Sequence, residues 1–215
     1  MKLVAVCVGR PREYEWQGKT TLTSIFKSEV AGPLRVGATN LEGDEQSDLT
    51  VHGGVNKSVY LFPSEHYEYW RRALPDTPLP WGAFGENLDI RGLLETEVNI
   101  GDHLRIGTAE FRVTQPRSPC FKLGIRFQRL DMTKLFFESE RFGFYVSVVR
   151  EGVLEAGDAV EILSRDPRGL TVQDMVHLET RRPLDTDALR RAVDHPLVSE
   201  ARRDRYRKQL AEAML

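Results

Sequence analysis

Residues 115–123, Gln-Pro-Arg-Ser-Pro-Cys-Phe-Lys-Leu, hold the side chains best suited to chemistry. Cys120 is one of two cysteines in the chain, and Arg117 and Lys122 flank it. A thiol set beside fixed cations in the first turn of a helix is drawn toward thiolate, the form that attacks electrophiles and ligates metals. The surrounding residues predict such a placement. Ala109-Glu-Phe-Arg-Val-Thr alternates apolar and polar residues as a half-buried strand does, and the prolines at 116 and 119 end its ladder because they lack a donor. Ser118 followed by Pro119 reads as the N-cap and first residue of a short helix reaching about Phe127. The stretch therefore predicts a reactive or metal-ligating sulfur at a strand end. The plainer alternative is an inert cysteine capping a core.

A second constellation spans Val51-His-Gly-Gly-Val-Asn-Lys. Gly53-Gly54 opens backbone conformations that let N–H groups converge on an anion. His52 adds a titratable ring and Lys57 a fixed charge. A glycine hairpin with an ordinary histidine fits the same residues. Gly18-Lys19-Thr20 invites comparison with a phosphate loop, but position 13 is Glu13 where that motif requires glycine, and the following residues read as strand. Lys19 and Thr20 remain loop residues able to touch an anion, or simply a solvated turn. Glu86 and Asn87, in Gly85-Glu-Asn-Leu, are either hydrogen-bonding groups of a site or parts of a tight turn.

The elements that must position these groups are mostly strands. Leu3-Val-Ala-Val-Cys-Val is a buried strand with Cys7 as a small core residue, and Val59-Tyr-Leu-Phe leaves the glycine loop as another. Gly101-Asp-His-Leu-Arg-Ile and Gly157-Asp-Ala-Val-Glu-Ile are two copies of a turn that launches a strand. Helices are expected from Pro63 to Leu74, capped by Ser64 with Tyr67, Trp70 and Leu74 on one face, and over 132–139. After Asp166-Pro-Arg-Gly the character changes to three helices, capped at Thr171, Asp185 and Ser199. Arg202 to Lys208 reads as a solvated face diluted by acids. The expectation is a mainly β, α+β protein: a β-barrel over 1–165 with peripheral helices, then a three-helix unit over 166–215.

The chain's 215 residues suffice for a sizeable core. A net charge of −2 argues against a general nucleic-acid binder. Two cysteines make no disulfide framework and suit a reducing compartment. No apolar stretch is long enough for a membrane span. These features place the protein in the cytoplasm, without nucleic acid or membrane partners.

Several stretches together resemble the MOSC family, named for the C-terminal domain of molybdenum-cofactor sulfurases. They are Glu42-Gly-Asp, Val51-His-Gly-Gly with Lys57-Ser-Val-Tyr, Gly85-Glu-Asn-Leu, Ile100-Gly-Asp, Gln115-Pro-Arg-Ser-Pro-Cys-Phe-Lys-Leu, and Gly143-Phe-Tyr with Ala156-Gly-Asp, in the family's order. The helical tail resembles that of the bacterial branch linked to resistance against hydroxylaminopurines. The resemblance implies a MOSC-type β-barrel in which Cys120 ligates the molybdenum of the pyranopterin cofactor, so that molybdenum cofactor and metal ligand are both expected here. Where relatives carry an arginine two residues after the Gly-aromatic-Tyr element, this chain has Val146-Ser147. Other cations must then hold the cofactor phosphate, and Lys19, Lys27, Arg35, Lys57 and Arg117 are the candidates, with Thr20, His52, Gly53, Gly54 and Asn87 as further contacts.

The implied activity is reduction of the N–O bond of small N-hydroxylated compounds. No G-x-G-x-x-G fingerprint for flavin or nicotinamide occurs, so a separate electron-donating reductase is expected as partner. His52 is a candidate proton relay beside Cys120. The alternatives are a carrier of cofactor or sulfur working through a Cys120 persulfide, and a non-catalytic barrel whose tail recruits a partner. A monomer and a homodimer both agree with the sequence.

Overall fold

A computed structural model describes residues 1–47 and 54–213. In chain order the elements are β1 (Lys2–Val8), β2 (Arg12–Trp16), β3 (Lys19–Thr23), β4 (Ser28–Glu29), β5 (Leu34–Val36), β6 (Val59–Pro63), α1 (His66–Ala73), β7 (Leu88–Arg91), β8 (His103–Ile106), β9 (Ala109–Pro116), α2 (Lys122–Phe127), α3 (Met132–Ser139), β10 (Phe144–Arg150), β11 (Gly152–Leu154), β12 (Val160–Ser164), α4 (Val172–Thr180), α5 (Thr186–Asp194) and α6 (Glu200–Ala213). A 3-10 turn, Val55–Lys57, precedes β6.

The fold is α+β, with most strands in one eight-stranded sheet ordered β12-β8-β9-β10-β6-β7-β1-β4. All its pairings are antiparallel except β6 with β7. The closed barrel expected from the sequence is not what the ladder shows. The sheet curls until residues 157–160 reach the start of β1, where Leu3 N donates to Asp158 O and Val160 N to Met1 O. Between them lies only an isolated bridge, Lys2 with Ala159, among the described residues.

The two Gly-Asp turns are structural copies. Gly101 and Gly157 both take positive φ, 94° and 106°, a region open to glycine without strain. The following aspartate in each accepts from a backbone N–H three residues earlier: Asn99 N to Asp102 and Glu155 N to Asp158. The strands they launch, β8 and β12, pair with each other.

Two apolar clusters fill the interior. One lies on the sheet and contains Leu3, Leu61, Phe111 and Val146 together with Met175, Leu189 and Tyr206 from the tail. The helices after residue 166 thus share the sheet's core. The other is aromatic, with Phe62, Tyr67, Trp70, Phe84, Phe136 and Phe142 packed between the sheet, α1 and α3. Two of the tail caps are as expected: Thr171 and Asp174 form a reciprocal capping box, and Asp185 accepts from the N–H groups of Asp187 and Ala188. Helix α1 differs, with Glu65 rather than Ser64 at its N-cap and no side-chain cap bond. The Ser64 hydroxyl is buried with no protein partner among the described residues.

Candidate active site

A cleft opens where the loop after β3, the loop before the 3-10 turn, β6 and the residues between β9 and α2 converge. Its enclosed part holds about 100 Å³, and the rest of the cleft opens to solvent, so a ligand larger than a few atoms would extend out through the mouth. Lys27, Lys57, Arg117, Cys120, Lys122 and Tyr145 are on its walls.

Cys120 is partly exposed at the rim. It precedes α2 instead of occupying its first turn, because the helix begins at Lys122 with Phe121 as N-cap. The Cys120 carbonyl accepts from Leu123 N at 3.0 Å and from the Thr133 hydroxyl at 3.3 Å. This fixes the backbone of the turn while leaving the thiol on the cleft side. Ser118 caps nothing. Its hydroxyl instead accepts from Arg202 Nη2 of α6 at 3.2 Å.

Arg117 is 6% exposed. Its guanidinium lies between aromatic rings, 5.2 Å from the centroid of Tyr60 and 5.1 Å from that of Phe136. Burial opposes its charge, but Tyr60, Tyr145, Cys120 and Glu86 around it outweigh that and raise its pKa. Its Nη1 has no hydrogen-bond partner among the described residues. A buried cationic donor left without an acceptor costs free energy, and such groups cluster where a ligand completes them.

The other cations are not equivalent. Lys27 is buried in an ion pair with Asp44, which also accepts from Gly9 N at 2.8 Å. Its charge is therefore largely used within the fold. Lys122, buried in α2, donates to Ser47 at 3.1 Å and brings a further positive charge to the wall. Lys57 closes the 3-10 turn. Tyr60 and Tyr145 are held as neutral phenols: burial, the larger effect, raises both pKa values against the pull of Arg117.

The remaining sequence candidates separate from this group. Lys19 and Thr20 belong to the β2–β3 hairpin away from the cleft walls, and Thr20 donates to Glu15. Arg35, in β5, meets Glu151 at 3.4 Å on the surface. Gly54 starts the 3-10 turn at φ 95°, and its N–H donates to Gln46 at 3.1 Å. Asn87 touches the cleft, but its side chain spans β1 and β6, accepting from Tyr60 N at 3.1 Å and donating to Cys7 O at 3.2 Å. Its neighbour Glu86 accepts from Phe84 N at 2.8 Å and from the Tyr67 hydroxyl. His52 and Gly53 lie outside the described residues.

Sequence reading passed over Tyr60, Tyr145 and Arg202. Both tyrosines stand in the stretches that carry the family resemblance, and pairing across β6 and β10 sets them together. Arg202 looked like one cation of a solvated helix. In the structure it is half-buried and donates to Gln115 Oε1 at 3.3 Å as well as to Ser118. Lys122 was visible as a flanking charge of the cysteine motif.

A model of the MOSC domain matches residues 48–161. The chain is 37% identical over 190 residues to the Escherichia coli protein titled YiiM, covering 87% of this chain and 83% of that protein. It is 33% identical over 166 residues to a Gibberella moniliformis protein titled Reductase, covering 76% of this chain and 29% of that one. Among solved structures, YiiM from Geobacillus stearothermophilus superposes with a TM-score of 0.78 at 32% identity, covering 97% of this chain and 98% of that one.

Proposed function

Because the chain belongs to the MOSC family, in the branch that holds the YiiM proteins, we propose that it is an oxidoreductase carrying the pyranopterin molybdenum cofactor in the Cys120 cleft and reducing small N-hydroxylated compounds, 6-N-hydroxylaminopurine among them. Arg117 carries this reading. A buried cation with an open donor, on the same cleft wall as a partly exposed thiol, suits a group with an anionic phosphate at one part and a metal at another. The donor set agrees. A thiolate is a soft ligand suited to a metal already held by dithiolene sulfurs. Among the described residues no three His, Cys, Asp or Glu side chains cluster to build a metal site, so the metal would have to arrive with ligands of its own.

Bound there, the group would supply the redox chemistry. Reduction breaks the N–O bond: two electrons and two protons convert the hydroxylamino group to an amine and water. Arg117 and Lys122, with Lys57, would bind and orient the phosphate by charge-assisted hydrogen bonds. Cys120 would hold the metal. Tyr145, kept protonated by burial, offers an O–H on the same wall. The electrons are assigned to a separate reductase, and the relative titled Reductase supports a redox role.

The test is turnover. Protein made in a host that synthesises the cofactor is mixed with an N-hydroxylated purine and a reduced viologen dye, and amine formation is followed. Formation by wild type and its loss in Cys120→Ser supports the reading. Molybdenum-loaded protein that forms no amine would overturn it in favour of a carrier working through a Cys120 persulfide.

A further inference from the structure

Cys120 has a second open side. Lys57, Cys120 and Tyr145 also form part of the wall of an outer cleft that adds Gln115, Phe121 and, from the tail, Arg202. Its character differs from that of the inner cleft. Asp44 and Glu45 face the inner one, whereas no carboxylate lines the outer one among the described residues. Arg202 keeps Glu179 only at 4.0 Å and otherwise donates to the neutral Gln115 and Ser118. Phe121, 51% exposed, presents an aromatic surface beside these cations. The open part of its ring, at the N-cap of α2, gives a planar ligand something to stack on.

We propose that this outer cleft is the substrate subsite, and that Arg202 of the tail makes it select an N-hydroxylated base that carries a phosphate, a nucleotide, over the free base. The assignment rests on the reductase reading above. The base stacks on Phe121 with its hydroxylamino group toward Cys120, and the phosphate meets Arg202. The tail thereby contributes to specificity at the site, in addition to packing on the sheet.

The experiment compares kcat/KM for 6-N-hydroxyadenosine monophosphate and for the free 6-N-hydroxylaminopurine, in wild type, Arg202→Gln, Arg202→Lys and the remote surface variant Arg190→Gln. A charge-assisted hydrogen bond to phosphate gives about a tenfold preference for the monophosphate in wild type. Arg202→Gln should bring the ratio toward one, Arg202→Lys should restore much of it, and Arg190→Gln should leave it unchanged. Equal kcat/KM for both compounds in wild type, or a preference that survives Arg202→Gln, overturns the proposal. Should neither compound be turned over, the reductase reading fails, and calorimetric binding of adenosine monophosphate against adenine to the purified protein still decides the subsite. Tighter monophosphate binding that is lost in Arg202→Gln supports it, and equal or undetectable binding overturns it.

Discussion

Replacing Arg117 by methionine separates a residue kept for a ligand from one kept for the fold. The guanidinium is buried, with Nη1 lacking a partner among the described residues. An unsatisfied buried donor costs about 1–3 kcal/mol, and replacing a buried charge by an apolar side chain of similar volume is often neutral or stabilising. Against this stand two cation–π contacts, with Tyr60 and Phe136, worth about 1 kcal/mol each. The two sides nearly cancel. Arg117→Met should therefore change the unfolding free energy of the unloaded protein by no more than about 1 kcal/mol in either direction. Loss of a charge-assisted phosphate contact worth about 2 kcal/mol should lower cofactor retention by about thirtyfold. Urea denaturation of unloaded protein gives the first quantity, and molybdenum retained through dialysis gives the second. Destabilisation beyond about 3 kcal/mol with full metal retention would refute this reasoning and make Arg117 a structural residue.

Ending the chain at residue 165 removes Met175, Leu189 and Tyr206 from the sheet's apolar cluster. The truncated protein should lose cooperative thermal unfolding, and a sharp transition near that of the full chain would show that the sheet folds alone. Stability should also fall with acid. Arg181 and Thr180 hold Glu140 at a pKa of about 2, below its ordinary 4.5, so its contribution is complete above about 4.5 and is lost as pH falls toward 2. His195, buried against the Ile100 carbonyl, has a pKa lowered from 6.5, chiefly by burial. Its neutral form is favoured in the fold, so it too loses stability as pH falls through its folded value. Melting temperatures from pH 8 to pH 3 should decline, and Glu140→Gln should flatten the lower part of that decline. A flat profile for wild type contradicts the assignment.

What the sequence disclosed was mostly local. The Thr171–Asp174 box and the Asp185 cap were readable because a capping side chain bonds within three residues of itself. The Gly-Asp repeat predicted two strand-launching turns, although it could not say that the strands would pair with each other. The start of α2 was misplaced because Ser118, a good cap by type, is taken up by Arg202, 84 residues away. The site divides in the same way. Cys120, Arg117 and Lys122 sit within one short stretch and were found together. Tyr60, Tyr145 and Arg202 join them only through sheet pairing and tail packing, which no local spacing encodes. Cations chosen by type alone were scattered: Lys27 is neutralised by Asp44, Arg35 lies on the surface, and Lys19 sits in a hairpin.

Molybdenum measured by plasma mass spectrometry, in wild type and Cys120→Ser purified side by side from a host that makes the cofactor, decides whether the sulfur holds the metal. Near-stoichiometric metal in wild type and its loss in Cys120→Ser is the expected result, with the variant melting where unloaded wild type melts because the thiol lies at a partly exposed rim. Equal metal in the two proteins would contradict Cys120 as ligand.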